Sequence, residues 1–350
     1  MFMDFMNHIK YAKAGGNIYG LDRNVCFPPL AYVFYGLLGR ILPDDQIRIQ
    51  QSASTGPYAI VLYVICVIVL SVMMLYLMIK TINRISGPLE RGNSSFFVLA
   101  LLLEALILKE AKEKWKKELA LVSIAIAAGF KIYPAVFGIL YLVEKRNKEA
   151  IRLVAYGALA FFLPFCFFGG IEGMKQFLIN QMAVQSTEYS RFVLMSRLRL
   201  ITQRFGLTGI LQEVLCWAIL GLCAFILLLT VFKTKKAYIR LTCLTAAIVF
   251  FPSWSGSYTL LYFAIPMVYY FQNEKTNSTT HLLLDICYGL LFSMAIVPLK
   301  NIYIDRDELN YAFARIGYGI TLLSVVDAYL PERWRTIEKR ILQKATETLA

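Results

Sequence analysis

From Leu119 to Val143 the chain is apolar except at its centre, where Lys131-Ile132-Tyr133-Pro134 sets a cation beside a helix breaker. Both ends of the stretch run into basic loops. An apolar run of this length can cross a bilayer core of about 30 Å as one tilted helix rising about 1.5 Å per residue. A charged amine at that depth is costly unless it faces protein, water or an anion, so Lys131 is a functional candidate.

The rest of the chain repeats the pattern. It is 58% hydrophobic and only 17% charged, and its apolar residues come in runs of about 15 to 24 separated by short polar segments. That spacing predicts an all-α, polytopic transmembrane helical bundle. The predicted spans are 27–42, 57–80, 94–108, 119–130 with 132–143, 150–168, 211–232, 239–252, 258–272, 281–300 and 311–330. One multi-pass domain is expected over 1–330, followed by a basic tail over 331–350 lying on anionic lipid. The opening Met1-Phe2-Met3-Asp4-Phe5-Met6-Asn7-His8 is already polar, so no signal peptide and no membrane anchor is expected ahead of Asp4.

A formal charge of +13 would suit a nucleic-acid partner, but the basic residues are spread over loops between spans rather than gathered in one soluble face. Topology accounts for them better. If residues 1–25 lie outside and the chain alternates, the cytoplasmic loops 43–57, 109–118, 144–152, 233–240 and 273–280 and the tail hold 20 of the 36 lysines and arginines. The longer outer segments 1–25, 81–93, 169–210 and 301–310 hold 11. Cysteines 26, 66, 166, 216, 223, 243 and 287 fall mostly in apolar runs, with no CxxC pair and no histidine cluster, so they read as small buried residues. No metal site and no cofactor is expected.

The alternation requires Leu119–Val143 to enter the membrane and return, because Lys112-Glu113-Lys114-Trp115-Lys116-Lys117 and Glu144-Lys145-Arg146-Asn147-Lys148 must share one side. Lys131 then stands at the tip of a hairpin whose arms stop short of the far surface. The competing arrangement is a single Pro-kinked helix with Lys131 paired to a carboxylate such as Glu104. A second turn is expected at Phe251-Pro252-Ser253-Trp254-Ser255-Gly256-Ser257-Tyr258.

In chain order, the N-terminal segment from Asp4 to Tyr19 ends on Cys26-Phe27-Pro28-Pro29-Leu30, Gly92-Asn93 precedes the third span, Phe130-Lys131-Ile132-Tyr133-Pro134 follows, and Pro252-Ser253-Trp254 lies between two late spans. This order resembles glycosyltransferase family 87 and is similar to other polyprenol-phosphate-mannose-dependent mannosyltransferases of the GT-C class. Two departures stand out. The transmembrane helix that precedes the aspartate loop in such proteins is missing, and Ser255-Gly256-Ser257-Tyr258 follows the Ser-Trp pair where relatives often carry histidine.

The resemblance implies a GT-C fold and an aspartate in the first outer loop acting as base. Asp4 occupies that place, with Asp22 as the second choice. The chemistry makes the same request. Inverting transfer of a sugar from a lipid phosphate needs a carboxylate to take the acceptor's hydroxyl proton and cations to steady the departing phosphate. The candidate phosphate-binding residues are Lys131, Arg191, Arg197 and Arg199, because arginine grips phosphate oxygens in bidentate fashion. The blander account of these arginines is an amphipathic helix meeting lipid headgroups. His8, one helical turn after Asp4, and Tyr133, Trp254 and Tyr258 are the candidate substrate contacts, although aromatic residues also collect at membrane interfaces for no functional reason.

The expected activity is transfer of a sugar, mannose by resemblance, from a polyprenyl-phosphate donor to a glycolipid or glycan acceptor on the outer face of a bacterial plasma membrane, with no nucleic acid involved. A transporter or flippase of lipid-linked saccharides would instead carry ionisable groups near the bilayer midplane, a description that Lys131 fits and Asp4 does not. A non-catalytic membrane subunit that kept only the shell is the other alternative.

Overall fold

The structure, a computed structural model, describes residues 3–22, 25–40, 95–187, 192–252, 255–274, 278–293, 306–331, 334 and 336–338. The described residues form helices and turns, with no strand among them. They fall into two compact units, Met1–Glu188 and Tyr189–Ala350.

The first unit contains α1 (Met3–Ala14), α2 (Pro29–Gly39), α3 (Ser95–Leu108), α4 (Lys114–Phe130), α5 (Ile139–Val143), α6 (Asn147–Phe162) and α7 (Gly170–Thr187), with 3-10 turns at Ile18–Gly20, Tyr133–Gly138 and Leu163–Phe167. The second contains α8 (Leu194–Arg204), α9 (Gly209–Lys233), α10 (Ala237–Phe250), α11 (Ala264–Asn273), α12 (Thr279–Ser293) and α13 (Arg306–Tyr329), with a 3-10 turn at Ser257–Phe263. Helices therefore occupy all the predicted spans except 57–80, which lies outside the described residues, as does most of the 331–350 tail.

Two elements differ from expectation. The N-terminal segment was expected as a polar outer loop, yet residues 3–14 are helical because Ile9 and Ala12 give α1 an apolar face that packs on α2. The segment 169–210, predicted as an outer loop, likewise holds the long helix α7, which buries Phe177 and Asn180.

Among the described residues, two apolar helical stretches are long enough to cross a bilayer, Asn147–Phe167 and Gly209–Lys233. Their apolar side chains are largely exposed, among them Ile151, Val154, Leu159 and Phe162 in the first and Leu222, Phe225 and Leu229 in the second. The core helix of a soluble protein would bury them, whereas a helix facing lipid displays them. The described chain is an all-α helical membrane protein.

The centre of the first unit is the break after Phe130. Pro134 cannot donate the next helical hydrogen bond, and its ring would strike the carbonyl four residues back, at Phe130. Helix α4 ends there, Lys131 takes an extended backbone (φ −148°, ψ 126°), and the chain reverses through the 3-10 turn into α5. Close packing supports the reversal from outside. Gly129 lies against α2 and α6 so tightly that a Cβ would stand 2.5 Å from the Leu30 side chain and 3.2 Å from the Ala160 carbonyl.

The base of the hairpin is tied by charge. Lys109 Nζ pairs with Glu144, and lies 2.6 Å from Glu110. Arg146 donates to the Lys109 carbonyl at 3.0 Å, pairs with Glu149 and lies over the Tyr141 ring. Helix α5 closes with Lys145 in the left-handed region (φ 59°), while the Arg146 and Lys145 amides bond the carbonyls of Tyr141 and Leu142. That is the Schellman closure usually made by glycine, adopted here at a cost of about 1 kcal/mol. The loops on either side of Leu119–Val143 therefore meet, as the hairpin requires and a single straight crossing would not allow.

In membranes holding Lys112→Cys or Asn147→Cys in a cysteine-free background, an impermeant maleimide should label both sites from the same side. Labelling from opposite sides would remove the hairpin.

Candidate active site

Lys131 has come to rest at the C-terminal end of α4, where the exposed carbonyls of the last turn favour a cation. Only 5% of it is accessible. Its ammonium donates to Ser95 Oγ, at the start of α3, at 2.8 Å. It lies 5.6 Å from the centre of the Phe27 ring and 5.8 Å from that of Tyr133. The hydroxyl and the two aromatic faces are among the groups that hold the cation, and the negative quadrupoles of the rings substitute in part for lost hydration.

His8, on α1, joins the same cluster through Phe27, with ring centres 4.4 Å apart. It stacks on Tyr35 at 5.4 Å and an interplanar angle of 21°, and its Nδ1 lies 3.2 Å from the Tyr32 hydroxyl. Tyr32 and Tyr35 are three residues apart on α2 and so share one face of it. Burial among these rings, and then the Lys131 ammonium, push the His8 imidazole down from 6.5 to about 4. It is neutral at ordinary pH and keeps one ring N–H to donate and one nitrogen to accept.

Asp4 lies on α1 one turn before His8. Asp22, the other acidic residue of the segment, accepts a hydrogen bond from the Tyr11 hydroxyl at 2.7 Å. Burial and then that bond raise the Tyr11 phenol to about 12, so the pair holds its proton on tyrosine.

The first unit thus brings together Lys131, His8 and Tyr133, with Phe27, Tyr32, Tyr35 and Ser95 as partners that sequence reasoning missed. The two tyrosines carried a usable signal, their spacing on one helix face. Ser95 carried none, since a serine at a helix start is commonplace.

The remaining candidates belong to the second unit. In α8, Arg199 donates to Glu213 Oε2 at 2.7 Å, and its carbonyl accepts from Gln212. Arg197 lies near Tyr318, whose hydroxyl donates to the Phe192 carbonyl. Tyr258 lies in the 3-10 turn after Gly256, within the expected second turn, where Ser255 and Thr259 hydroxyls bond at 2.7 Å. Arg191 and Trp254 lie outside the described residues. This unit also holds a charge cluster that the sequence did not announce. Buried Asp327 Oδ2 accepts from Lys236 Nζ at 2.7 Å and from the Tyr238 hydroxyl, with His281 Nε2 3.7 Å away.

Among the described residues no group of three histidine, cysteine, aspartate or glutamate side chains could hold a metal ion.

The family model of glycosyltransferase family 87 matches residues 26–253. The chain belongs to glycosyltransferase family 87. No curated protein and no solved structure matches it. The segment matched to family 87 contains Phe27, Tyr32, Tyr35, Ser95, Lys131 and Tyr133, so the cation and most of its shell lie within it. It begins after Asp4, His8 and Asp22 and ends before Trp254 and Tyr258.

The low His8 value has a consequence for stability. The unfolded histidine takes a proton below pH 6.5 that the folded one refuses until about pH 4. Folding should therefore weaken as pH falls through that window, by up to about 3 kcal/mol. Thermal unfolding of the detergent-solubilised protein between pH 7.5 and 4 should show this loss, and His8→Phe, which keeps a ring in the stack, should flatten it. Parallel pH curves for the two proteins would mean that His8 is not shielded as described.

Proposed function

We propose that this family 87 glycosyltransferase moves a sugar, mannose by family resemblance, from a polyprenyl-phosphate donor to a glycolipid or glycan acceptor, working at the outer face of a bacterial plasma membrane. The observation that carries the reading is the buried Lys131 ammonium at the hairpin tip, held by Ser95 Oγ at 2.8 Å and faced by Phe27 and Tyr133.

In such a transfer the acceptor oxygen attacks the anomeric carbon, its proton passes to a carboxylate, and the bond from that carbon to the phosphate oxygen breaks. The lipid phosphate leaves with the electron pair. Negative charge grows on its oxygens at that moment, and a cation already in place at low local dielectric stabilises the transition state without reorganising. Lys131 answers that need. One of its partners, Ser95, is a neutral hydroxyl.

Asp4 is the proposed base. It stands one turn before His8 on α1, and His8 belongs to the Lys131 cluster. Neutral His8 and the Tyr133 ring are proposed to contact the sugar or acceptor. Arg191, Arg197 and Arg199, with Trp254 and Tyr258, are proposed as further donor contacts. For Arg199 this requires exchanging the Glu213 carboxylate for phosphate. The charge asymmetry of the loops supports a multi-pass arrangement with this face outward.

Replacing Lys131 with alanine should lower kcat by roughly a hundredfold, or about 2.7 kcal/mol, with donor KM less affected. Full turnover at normal protein levels would leave Lys131 a structural residue.

Replacing Asp4 with asparagine keeps size and hydrogen bonding but removes basicity, so transfer should fall by about a hundredfold or more while donor binding survives. Asp22→Asn is the control. Wild-type transfer by the Asp4 variant, or loss in the Asp22 variant alone, would reassign the base.

A further inference from the structure

Helix α7 grips the segment that connects α1 to α2 along most of its length. At its start the backbone passes so close that a Cβ on Gly169 would stand 2.9 Å from the Asn17 side chain. Two turns further on, Phe177 meets the Tyr19 ring edge-on at 5.4 Å. Asn180, 2% accessible, then donates its amide to the carbonyls of Tyr19 at 3.0 Å and Val25 at 3.1 Å, with that of Asp22 at 3.5 Å. Gln176 donates to Asn180 Oδ1 at 3.2 Å, which fixes the end of the amide that faces the loop. Gln181 donates to the Cys26 carbonyl.

The next residue after that clamp is Phe27. Its carbonyl accepts from the Tyr19 hydroxyl at 3.0 Å, and its ring is the one that His8 and Lys131 both approach. The position of that ring therefore depends on a loop whose inner carbonyls converge on one side-chain amide.

We propose that Asn180 is a positioning residue for sugar transfer: by binding the Tyr19, Asp22 and Val25 carbonyls it holds Phe27 against both His8 and Lys131, and so keeps the Lys131 ammonium where the leaving phosphate needs it. The proposal rests on the reading of Lys131 given above and is independent of which carboxylate acts as base. It assigns Asn180 no contact with substrate. Loss of the clamp should let the ring swing and water reach His8, with the ammonium no longer confined against the ring.

The test uses the full-length protein in nanodiscs, with Asn180→Ala and with Asn180→Ser, which keeps one donor should the alanine variant fail to fold. Two quantities are read: kcat and KM with a polyprenyl-phosphate sugar, and the titration of His8 by NMR of labelled histidine. The chain has two histidines, and His281→Gln assigns the signal. In Asn180→Ala, kcat should fall about tenfold with KM within about twofold, and the His8 midpoint should rise by about one unit or more toward 6.5. The serine variant should fall between alanine and wild type on both measures. Ile179→Ala, on the exposed side of α7, should match wild type.

A fall in kcat with the His8 midpoint unmoved overturns the proposal, because Asn180 would then act without the cluster. A shifted midpoint with wild-type kcat overturns it as well. If Lys131→Ala is fully active, the reading of the cation fails by that separate measurement, while the His8 titration still decides whether Asn180 orders the cluster.

Discussion

An ammonium group among apolar helices must be partnered or expelled, and the first unit is arranged around that requirement. Proline three residues on ends helix α4 just before Lys131, so the cation falls at the negative end of the helix dipole. Ser95 supplies a hydroxyl, and Phe27 and Tyr133 supply aromatic faces. Each partner comes from a different part of the chain. The break, the return through α5 and the charged knot at the hairpin base are one solution to one electrostatic problem, since the return is possible only if Lys109, Glu144 and Arg146 can share a surface.

The second unit meets the same problem with the opposite sign. Asp327 is buried near the end of α13, and Lys236, Tyr238 and His281 converge on it from α10, α12 and the segment before α10. Removing one partner from such a cluster costs more than the pair contributed, because the remaining charge stays buried. A cluster of this kind fixes how helix ends meet. The Lys131 cluster differs in its chemistry, with a hydroxyl and aromatic faces among the groups that meet the cation.

Family membership and geometry bear on different parts of the site. The matched segment takes in Lys131, Ser95, Phe27 and Tyr133, while Asp4 and His8 precede it. His8 is joined to the matched part physically, through its contacts with Phe27, Tyr32 and Tyr35. Those contacts tie the start of α1 to the cation, and they make the environment of His8 a reporter on the order of the whole cluster.

The sequence by itself determined the helical class and the place of nearly every described helix, because runs of apolar residues broken by basic loops leave the backbone few alternatives in lipid. It also determined the reversal at Lys131, since Pro134 and the flanking charges act locally. Helix α1 was missed as an ordered element because its apolar face is narrow and gains stability only against α2. Ser95 and Asn180 were beyond reach for a related reason: Ser95 and Lys131 are 36 residues apart, and Asn180 and Tyr19 are 161 apart. Hydropathy and charge act along the chain and can be read there, whereas the partners of a buried polar group are chosen by whichever helices pack against it, which only the tertiary structure decides.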